Sequence, residues 1–393
     1  MNYPTIHPFP ARMAPEIALE HLKTFPKTAR ILDPMMGSGT VLHAAAREGL
    51  LAIGYDLDPL AVLISRVWTT AFDHDALFLA AEKLIQQAEK VVKEGDVYLP
   101  WIDDDKLSID FINFWFGAEQ KKQLRPIAYL LAKGRGPLNA ALKVVLSRLI
   151  ITKKKGASLA GDVSHSRPHR IRASNDFDVF FEFIASAKRM VSRLKQSELR
   201  VSANAKRGDS RLLRGEATQS IDGIITSPPY LNAIDYMRGH KLSLIWLGFT
   251  LQELTKIRSD NIGTMRVIQK NQYLSLAQSL CIESEIKELS QSEQKMVLKY
   301  AIDINSMMKS SSRVLKKDGR ATYIVGNSYI RGIYIDNASI VKQAAARSGM
   351  RLNEEYKREI LASRRYLPPP ASDTHESLRR RMGTESIMTF SKI

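Results

Sequence analysis

The chain has 393 residues, of which 44% are hydrophobic, and a formal net charge of +17 at pH 7. This length and composition are typical of a folded protein with one large core or two domains. The single cysteine, Cys281, excludes an intramolecular disulfide framework and a Cys-based zinc cluster. No run approaches the ~18 consecutive apolar residues of a membrane span. Since residues 1–15 also lack the apolar core of a signal peptide, we expect a cytoplasmic protein without a membrane partner.

The positive charge is concentrated in one quarter of the sequence. Between Glu119 and Arg214 there are 22 Lys and Arg residues but only 7 Asp and Glu residues. This clustering favours a polyanionic partner, because each phosphate that is neutralised adds a salt-dependent increment to affinity. A solvated helical surface is the alternative explanation.

The first regular elements in chain order form a βαβ unit within residues 30–66. A short strand precedes a helix that Gly49 closes, and a second strand leads to a helix that Asp58 caps. Such a unit implies a parallel sheet with right-handed crossovers. The expected elements are strand 30–33, helix 40–48, strand 51–55 and a helix starting at Pro59.

Residues 70–200 interrupt this alternation with a run of helices, after which it resumes. The helices of the interruption are expected near 74–94, 119–133, 137–152 and 177–198. The later elements are expected as strand 221–225, helix 233–247, a helical stretch over 250–315, strand 321–326, helix 337–348 and strands 351–361 and 384–391.

The segment from Asp33 to Thr40, DPMMGSGT, lies between the first strand and its helix. Glycines here let the backbone turn sharply and approach a ligand, and the helix N-terminus offers free N–H groups. A nucleotide-like ligand is therefore plausible, although a generic tight turn has the same pattern. The acid before the glycines disfavours a pyrophosphate and suits a cationic ligand such as S-adenosylmethionine.

Asp56 follows the second strand, 23 residues after Asp33. An acid at this position is placed to accept hydrogen bonds from ribose hydroxyls. Helix capping is the alternative role. Because Asp58 is better placed as the cap, Asp56 is the better ligand candidate.

The run Thr226-Ser-Pro-Pro-Tyr230 follows a third apolar strand. Its two prolines fix φ near −65° and remove N–H donors, so the turn is stiff. The Ser227 hydroxyl and nearby carbonyls can accept from an amine, and the ring of Tyr230 can stack on a planar partner. The turn is therefore suited to holding a planar ring that bears an amine.

Together these segments resemble the amino-methyltransferases that modify exocyclic nitrogens of DNA bases. The resemblance is carried by DPMMGSGT, GYDLDP, GDSR and TSPPY, by HPFPARMAP near the N-terminus, by the helix after TSPPY and by LKKDG at 315–319. It covers about 1–66 and 205–393. It implies an α/β, Rossmann-like S-adenosylmethionine-dependent methyltransferase fold with a mainly parallel sheet, a C-terminal antiparallel hairpin and a large basic helical insertion.

The same resemblance implies a domain division and roles for individual residues. The catalytic domain is expected to comprise 1–69 and 201–393, with cofactor motifs in 1–66 and the catalytic turn at 226–230. The resemblance does not extend to 70–200, so this insertion is expected by elimination and from its charge to bind DNA and recognise the target, with 250–315 as the competing location. The catalytic residues are expected to be Ser227, Pro228, Pro229 and Tyr230. The cofactor-binding residues are expected to be Phe9, Pro10, Asp33, Pro34, Gly37, Gly39, Thr40, Asp56 and Asp209. The DNA-binding residues are expected to be Lys153, Lys154, Lys155, Arg167, Arg170 and Arg172.

A Ser-Pro-Pro-Tyr turn is typical of the cytosine-N4 members, whereas Asp or Asn in place of Ser is typical of the adenine-N6 members. The resemblance therefore implies site-specific methylation of cytosine N4 in double-stranded DNA, by direct transfer to a flipped base and without a metal. It also implies a restriction–modification setting, with a cognate endonuclease as a further partner. Adenine-N6 methylation, RNA base methylation and a catalytically silent nucleic-acid-binding module remain open. Cytosine-C5 methylation is disfavoured because Cys281 lacks a Pro-Cys turn.

Overall fold

The computed structural model describes residues 5–9, 12–152, 155–161, 168–231, 235–263, 279, 286–331, 333–360 and 383–393. Five residues discussed above, Pro10, Lys153, Lys154, Arg167 and Cys281, lie outside these ranges. Within them, no helix is both long and apolar enough to cross a membrane.

A seven-stranded sheet forms the centre of the fold, in the order β5-β2-β1-β6-β7-β11-β10. Its strands are β1 (Arg30–Asp33), β2 (Leu51–Asp56), β5 (Asn204–Arg207), β6 (Ile221–Thr226), β7 (Leu315–Gly326), β10 (Met350–Glu359) and β11 (Thr384–Lys392). Strands β5, β2, β1, β6 and β7 pair in parallel, and β11 lies antiparallel between β7 and β10. This confirms the predicted Rossmann-like methyltransferase architecture with its C-terminal antiparallel hairpin. Two small hairpins are formed by β3 (Ala160–Gly161) with β4 (His169–Arg170), and by β8 (Ser328–Ile330) with β9 (Ile333–Ile335).

The helices fall into those that alternate with the sheet strands and those of the helical run. The first group comprises α1 (Pro15–Leu22), α2 (Thr40–Glu48), α3 (Pro59–Thr69), α10 (Tyr236–Leu244) with a 3-10 turn (Ile245–Leu247), α11 (Leu251–Asp260), α12 (Gln291–Val314) and α13 (Asn337–Arg347). The run comprises α4 (His74–Glu94), α5 (Pro100–Asp103), α6 (Lys106–Trp115), α7 (Ala118–Lys133), α8 (Gly136–Ile150) and α9 (Val179–Lys195). A basic helical segment thus interrupts the α/β alternation, as predicted.

Local signals account for several helix boundaries. Asp58 accepts from the Leu60 N–H at 2.9 Å and caps α3, whose first residue is Pro59. Asp73 and Asp178 cap α4 and α9 in the same manner. Gly49 ends α2 at φ +76°, in the left-handed region that favours glycine.

Alternating side chains of the central strands pack against helices on both faces of the sheet. Ile31 belongs to a buried cluster with α1 and α2, whereas Leu32 belongs to one with α12 and α13. A third cluster joins the helical run to α3 and α10 without a break. The helical run α4–α9 therefore packs against α3 and α10. Its role as a separate recognition unit stays a prediction.

Candidate active site

Three strand ends meet at the carboxyl edge of the sheet. Strand β1 lies between β2 and β6, with Asp33 opposite Gly54 and Leu32 opposite Ile224. The loop of residues 34–39 after β1, called the glycine loop, and the turn after Thr226 are therefore neighbours. In open α/β sheets, ligands bind beyond this edge.

A buried hydrogen bond fastens the two segments together. The Thr226 hydroxyl donates to Asp33 Oδ1 at 2.7 Å, and the Met35 N–H donates to the same oxygen at 3.1 Å. Both Thr226 and Asp33 are buried. Burial raises the pKa of Asp33 to about 7, while these two hydrogen bonds oppose the rise. The carboxyl group thus anchors the start of the turn at residues 226–230 to the end of β1.

The glycine loop has two glycines with different roles. Gly39 is buried at φ +88°, and a Cβ there would lie 2.3 Å from Ser65 Oγ on α3. It is required for helix packing. Gly37, at φ +51°, is half-buried, and a Cβ there would lie 3.4 Å from the ring of Phe9. Between them, Ser38 Oγ is buried without a hydrogen-bond partner among the described residues. Gly37, through its half-exposed backbone, and Ser38, through its buried hydroxyl, are therefore the candidate ligand contacts of this loop.

Asp56 closes the loop from the neighbouring strand. Its carboxylate accepts from the Gly37 N–H and the Asp58 N–H, both at 2.9 Å. Burial raises the pKa of Asp56 to about 7, and the charge of Asp58 adds to the rise. With Asp33, this places two carboxyl groups of raised pKa beside the loop. Such a pair favours a ligand that carries positive charge.

An aromatic cluster covers the other side of the loop. Phe9 stacks on Tyr236 with ring centroids 5.2 Å apart, and it lies 5.2 Å from the ring of His240. His240 is buried and hydrogen-bonds through Nδ1 to Asp58 Oδ2. Phe9 is thus held between the glycine loop and α10. Tyr236 is half-buried and contributes to this wall.

The other residues predicted to bind the cofactor are either buried or already hydrogen-bonded to another side chain. Pro34 and Thr40 are buried at the two ends of the loop. Asp209 follows β5 and forms a bidentate ion pair with Arg211. Arg211 Nε donates to Oδ1 at 2.9 Å and Nη2 donates to Oδ2 at 2.7 Å. Arg211 also donates to Asp303 at 2.9 Å. Any amine that donates a hydrogen bond to Asp209 must therefore share the Asp209 carboxylate with Arg211.

The turn at residues 226–230 places a serine and a tyrosine side by side. Ser227 Oγ lies 3.5 Å from the Tyr230 hydroxyl, and both residues are half-buried. Tyr230 donates to Glu385 Oε1 at 2.9 Å, and Glu385 lies 3.8 Å from Arg358. Burial raises the pKa of Tyr230 well above its usual value, and the charge of Glu385 adds to the rise. The hydroxyl therefore stays protonated and fixes the ring through strand β11.

Three of the predicted DNA-binding residues are described. Lys155 is exposed and forms an ion pair with Asp176. Arg170 is exposed, with its guanidinium carbon 5.1 Å from the centroid of the Phe114 ring, and Arg172 is half-buried. Among the described residues, no group of three or more His, Cys, Asp or Glu side chains is arranged as metal ligands would be.

Comparison with known proteins places this geometry in context. No protein-family model matches the chain. It is 23% identical over 416 residues to the type II methyltransferase M.MvaI of Kocuria varians, covering 98% of this chain and 89% of that protein. The chain is thus similar to type II methyltransferases along nearly its whole length. This similarity bears out the prediction of a DNA methyltransferase at that level.

Other type II methyltransferases also align over most of this chain. M.AvaI of Nostoc sp. is 23% identical, covering 83% of this chain and 74% of its own. M.MjaII of Methanocaldococcus jannaschii is 22% identical, covering 91% and 76% respectively. Among solved structures, a SAM-dependent methyltransferase from Methanosarcina mazei aligns over 98% of this chain and 99% of its own chain. Its sequence identity is 7% and its TM-score is 0.34, so this likeness does not bear on function.

The site also contains residues that no sequence motif indicated. Glu385 lies 155 positions from Tyr230, and no local pattern in its strand marks it. Thr226 was recognised only as part of the turn, whereas its hydroxyl is the anchor to Asp33. His240 and Tyr236 are one helical turn apart on α10, a spacing that indicates a shared face but not what it covers.

Proposed function

We propose that the protein transfers a methyl group from S-adenosylmethionine to the exocyclic N4 amine of cytosine in double-stranded DNA. The observation that carries the proposal is the Thr226–Asp33 hydrogen bond, which joins the amine-holding turn to the glycine loop. The similarity to type II methyltransferases along nearly the whole chain supports the same reaction class.

The residues of the loop fit S-adenosylmethionine. Gly37 leaves room for a close approach, and Ser38 offers a buried hydroxyl that lacks a partner among the described residues. Asp33 and Asp56 suit a ligand with a sulfonium and an ammonium group, because positive charge favours their ionised forms. Asp56 would hold the ribose, Phe9 would flank the methionine part, and Asp209 would accept from the adenine amine while paired with Arg211. When bound, the cofactor supplies an electrophilic methyl group.

On the acceptor side, the turn would hold a base that has left the duplex. Flipping the base costs a few kcal/mol, and stacking on Tyr230 returns about 1–3 kcal/mol. The Ser227 hydroxyl and a carbonyl of the Ser227-Pro228-Pro229 turn would accept from the exocyclic amine. This orients the nitrogen lone pair towards the cofactor side of the pocket. Because Thr226 ties the turn to Asp33, the two reactants are held at a fixed separation, and such positioning can supply about 7–11 kcal/mol of the barrier.

The target and the setting are part of the same proposal. The basic segment 70–200 would contact phosphates, which position the protein on DNA without reading the sequence. Ser227 favours cytosine N4 through the resemblance of its turn, and adenine N6 is the second candidate because the same acceptors can hold either amine. A cognate endonuclease and a cytoplasmic location would follow from a restriction–modification role.

A double substitution in the turn tests the proposal. In the S227A/Y230A variant, the acceptor hydroxyl and the stacking ring are removed, while Asp33, Gly37 and Asp56 are untouched. We expect transfer of labelled methyl groups to duplex DNA to be abolished and binding of S-adenosylmethionine to be retained. Transfer at the wild-type rate would show that the reaction takes place elsewhere.

A further inference from the structure

Arginines from two helices converge on the N-terminal segment. Arg148 of α8 donates through Nη1 to the Ile6 carbonyl, and Arg193 of α9 donates through Nη1 to the Thr5 carbonyl at 2.7 Å. The two guanidinium groups are near enough for the charge of Arg193 to act on Arg148. Together with Arg12 and Arg189 we call them the arginine cluster.

The charge of the arginine cluster is largely uncompensated. Arg12 is exposed as a residue, but local desolvation and the charge of Arg193 lower the pKa of its guanidinium group to about 10. Burial, Arg193 and Arg189 lower the pKa of Arg148 to about 10. Among the described residues, only Arg189 of the four has an ion pair, with Glu182 at 3.3 Å. Like charges at short range repel one another, so an anion bound among them would be favoured.

The cluster lies beside the candidate active site. Ile6 and Arg12 are each three residues from Phe9, so each lies within about 11 Å of it along the chain. Phe9 in turn packs on Tyr236 and against Gly37. The site for an anion would therefore adjoin the pocket that holds the reacting groups.

We propose that the arginine cluster binds a phosphate group of the DNA backbone next to the flipped nucleotide, an inference that rests on the proposed function. Guanidinium groups match phosphate oxygens with paired N–H donors. The methionine carboxylate of the cofactor is the other oxyanion at this edge. A DNA strand suits the cluster better, because it brings successive phosphates to several cations. Furthermore, α9 continues the positive surface with the exposed residue Lys188.

The salt dependence of DNA affinity distinguishes these sources. Arg148 and Arg193 hold the N-terminal segment, so the variants are Arg12→Gln and Arg189→Gln, and Arg12→Lys retains the charge. The control is Lys309→Gln, an exposed residue near the end of α12 that leads into the start of β7, at the opposite edge of the sheet. All are measured with duplex DNA, and binding of S-adenosylmethionine is measured separately.

We expect each glutamine variant of the cluster to lower the slope of log Kd against log salt by about 1, which is about fourfold in affinity between 50 and 200 mM salt. Arg12→Lys and Lys309→Gln should keep the wild-type slope, and affinity for S-adenosylmethionine should not change. Unchanged slopes in both glutamine variants would overturn the proposal. Weaker cofactor binding with an unchanged slope would assign the cluster to the cofactor carboxylate and overturn it too. Methyl transfer by the wild-type protein reports on the proposed function independently.

Discussion

The hydrogen bond from Tyr230 to Glu385 gives a quantitative prediction for the Glu385→Ala variant. The bond measures 2.9 Å, its acceptor is a carboxylate, and both side chains are partly buried. Removing a bond of this kind typically costs about 1.5–3 kcal/mol. If the bond orients the ring for stacking, kcat/KM for duplex DNA should fall about 10- to 150-fold. Glu385→Gln keeps an acceptor oxygen and should lose less.

A double-mutant cycle with Tyr230→Phe separates this role from a general loss of stability. The phenylalanine ring can still stack but has no hydroxyl for Glu385 to hold. In the Tyr230→Phe background, Glu385→Ala should therefore have little further effect, so the two substitutions should be strongly non-additive. Single-turnover methyl transfer gives the rates, and titration with S-adenosylmethionine should give an unchanged Kd. Equal losses from Glu385→Ala in both backgrounds would refute the reasoning and favour an effect through Arg358.

Three further predictions follow from the site and its surroundings. The Kd of S-adenosylmethionine should fall about tenfold between pH 6 and pH 8, because a cationic ligand requires the Asp56 carboxyl group, whose pKa is about 7, to ionise; Asp56→Asn should flatten this profile in calorimetric titrations, and a pH-independent wild-type Kd would contradict it. Gly39→Ala should reduce the free energy of unfolding by about 1–3 kcal/mol more than Gly136→Ala, because Gly136 has a similar φ of +85° but open space around it; equal losses in urea denaturation would show that the contact with Ser65 is unimportant. Replacing residues 153–172 with a neutral linker should weaken binding to duplex DNA and alter the choice of target site, and unchanged binding and site choice would remove the recognition role of this segment.

Local sequence signals predicted much of the fold. The Asp58-Pro59 pair marked the start of α3, and Gly49 marked the end of α2, because capping depends on residues adjacent in sequence. Strand β7 was predicted only over 321–326, because its first residues include the polar run Lys316-Lys317-Asp318, which indicates a turn. It begins at Leu315 because it pairs with β6 through a register shift, with Lys316 donating to Asp222 at 2.7 Å.

The site was predictable in its residue types but not in its connections. The motifs identified Asp33, Asp56 and Tyr230 because each lies at or shortly after the carboxyl end of a strand of the parallel sheet. The partners of these residues could not be found from sequence, since Thr226 reaches Asp33 across 193 positions and Glu385 reaches Tyr230 across 155. Such contacts depend on the order of strands in the sheet. The pairing of Asp209 with Arg211, although local, depends also on α12, which supplies Asp303.

The nucleoside formed by the reaction tests the central claim most directly. The protein is incubated with methyl-labelled S-adenosylmethionine and duplex DNA, and the DNA is then digested to nucleosides and separated. The proposed function predicts label in N4-methylcytosine. Label in N6-methyladenine would contradict the assignment of the amine, and label that appears only with RNA would contradict the assignment of the substrate. The absence of label with every substrate would contradict methyl transfer itself.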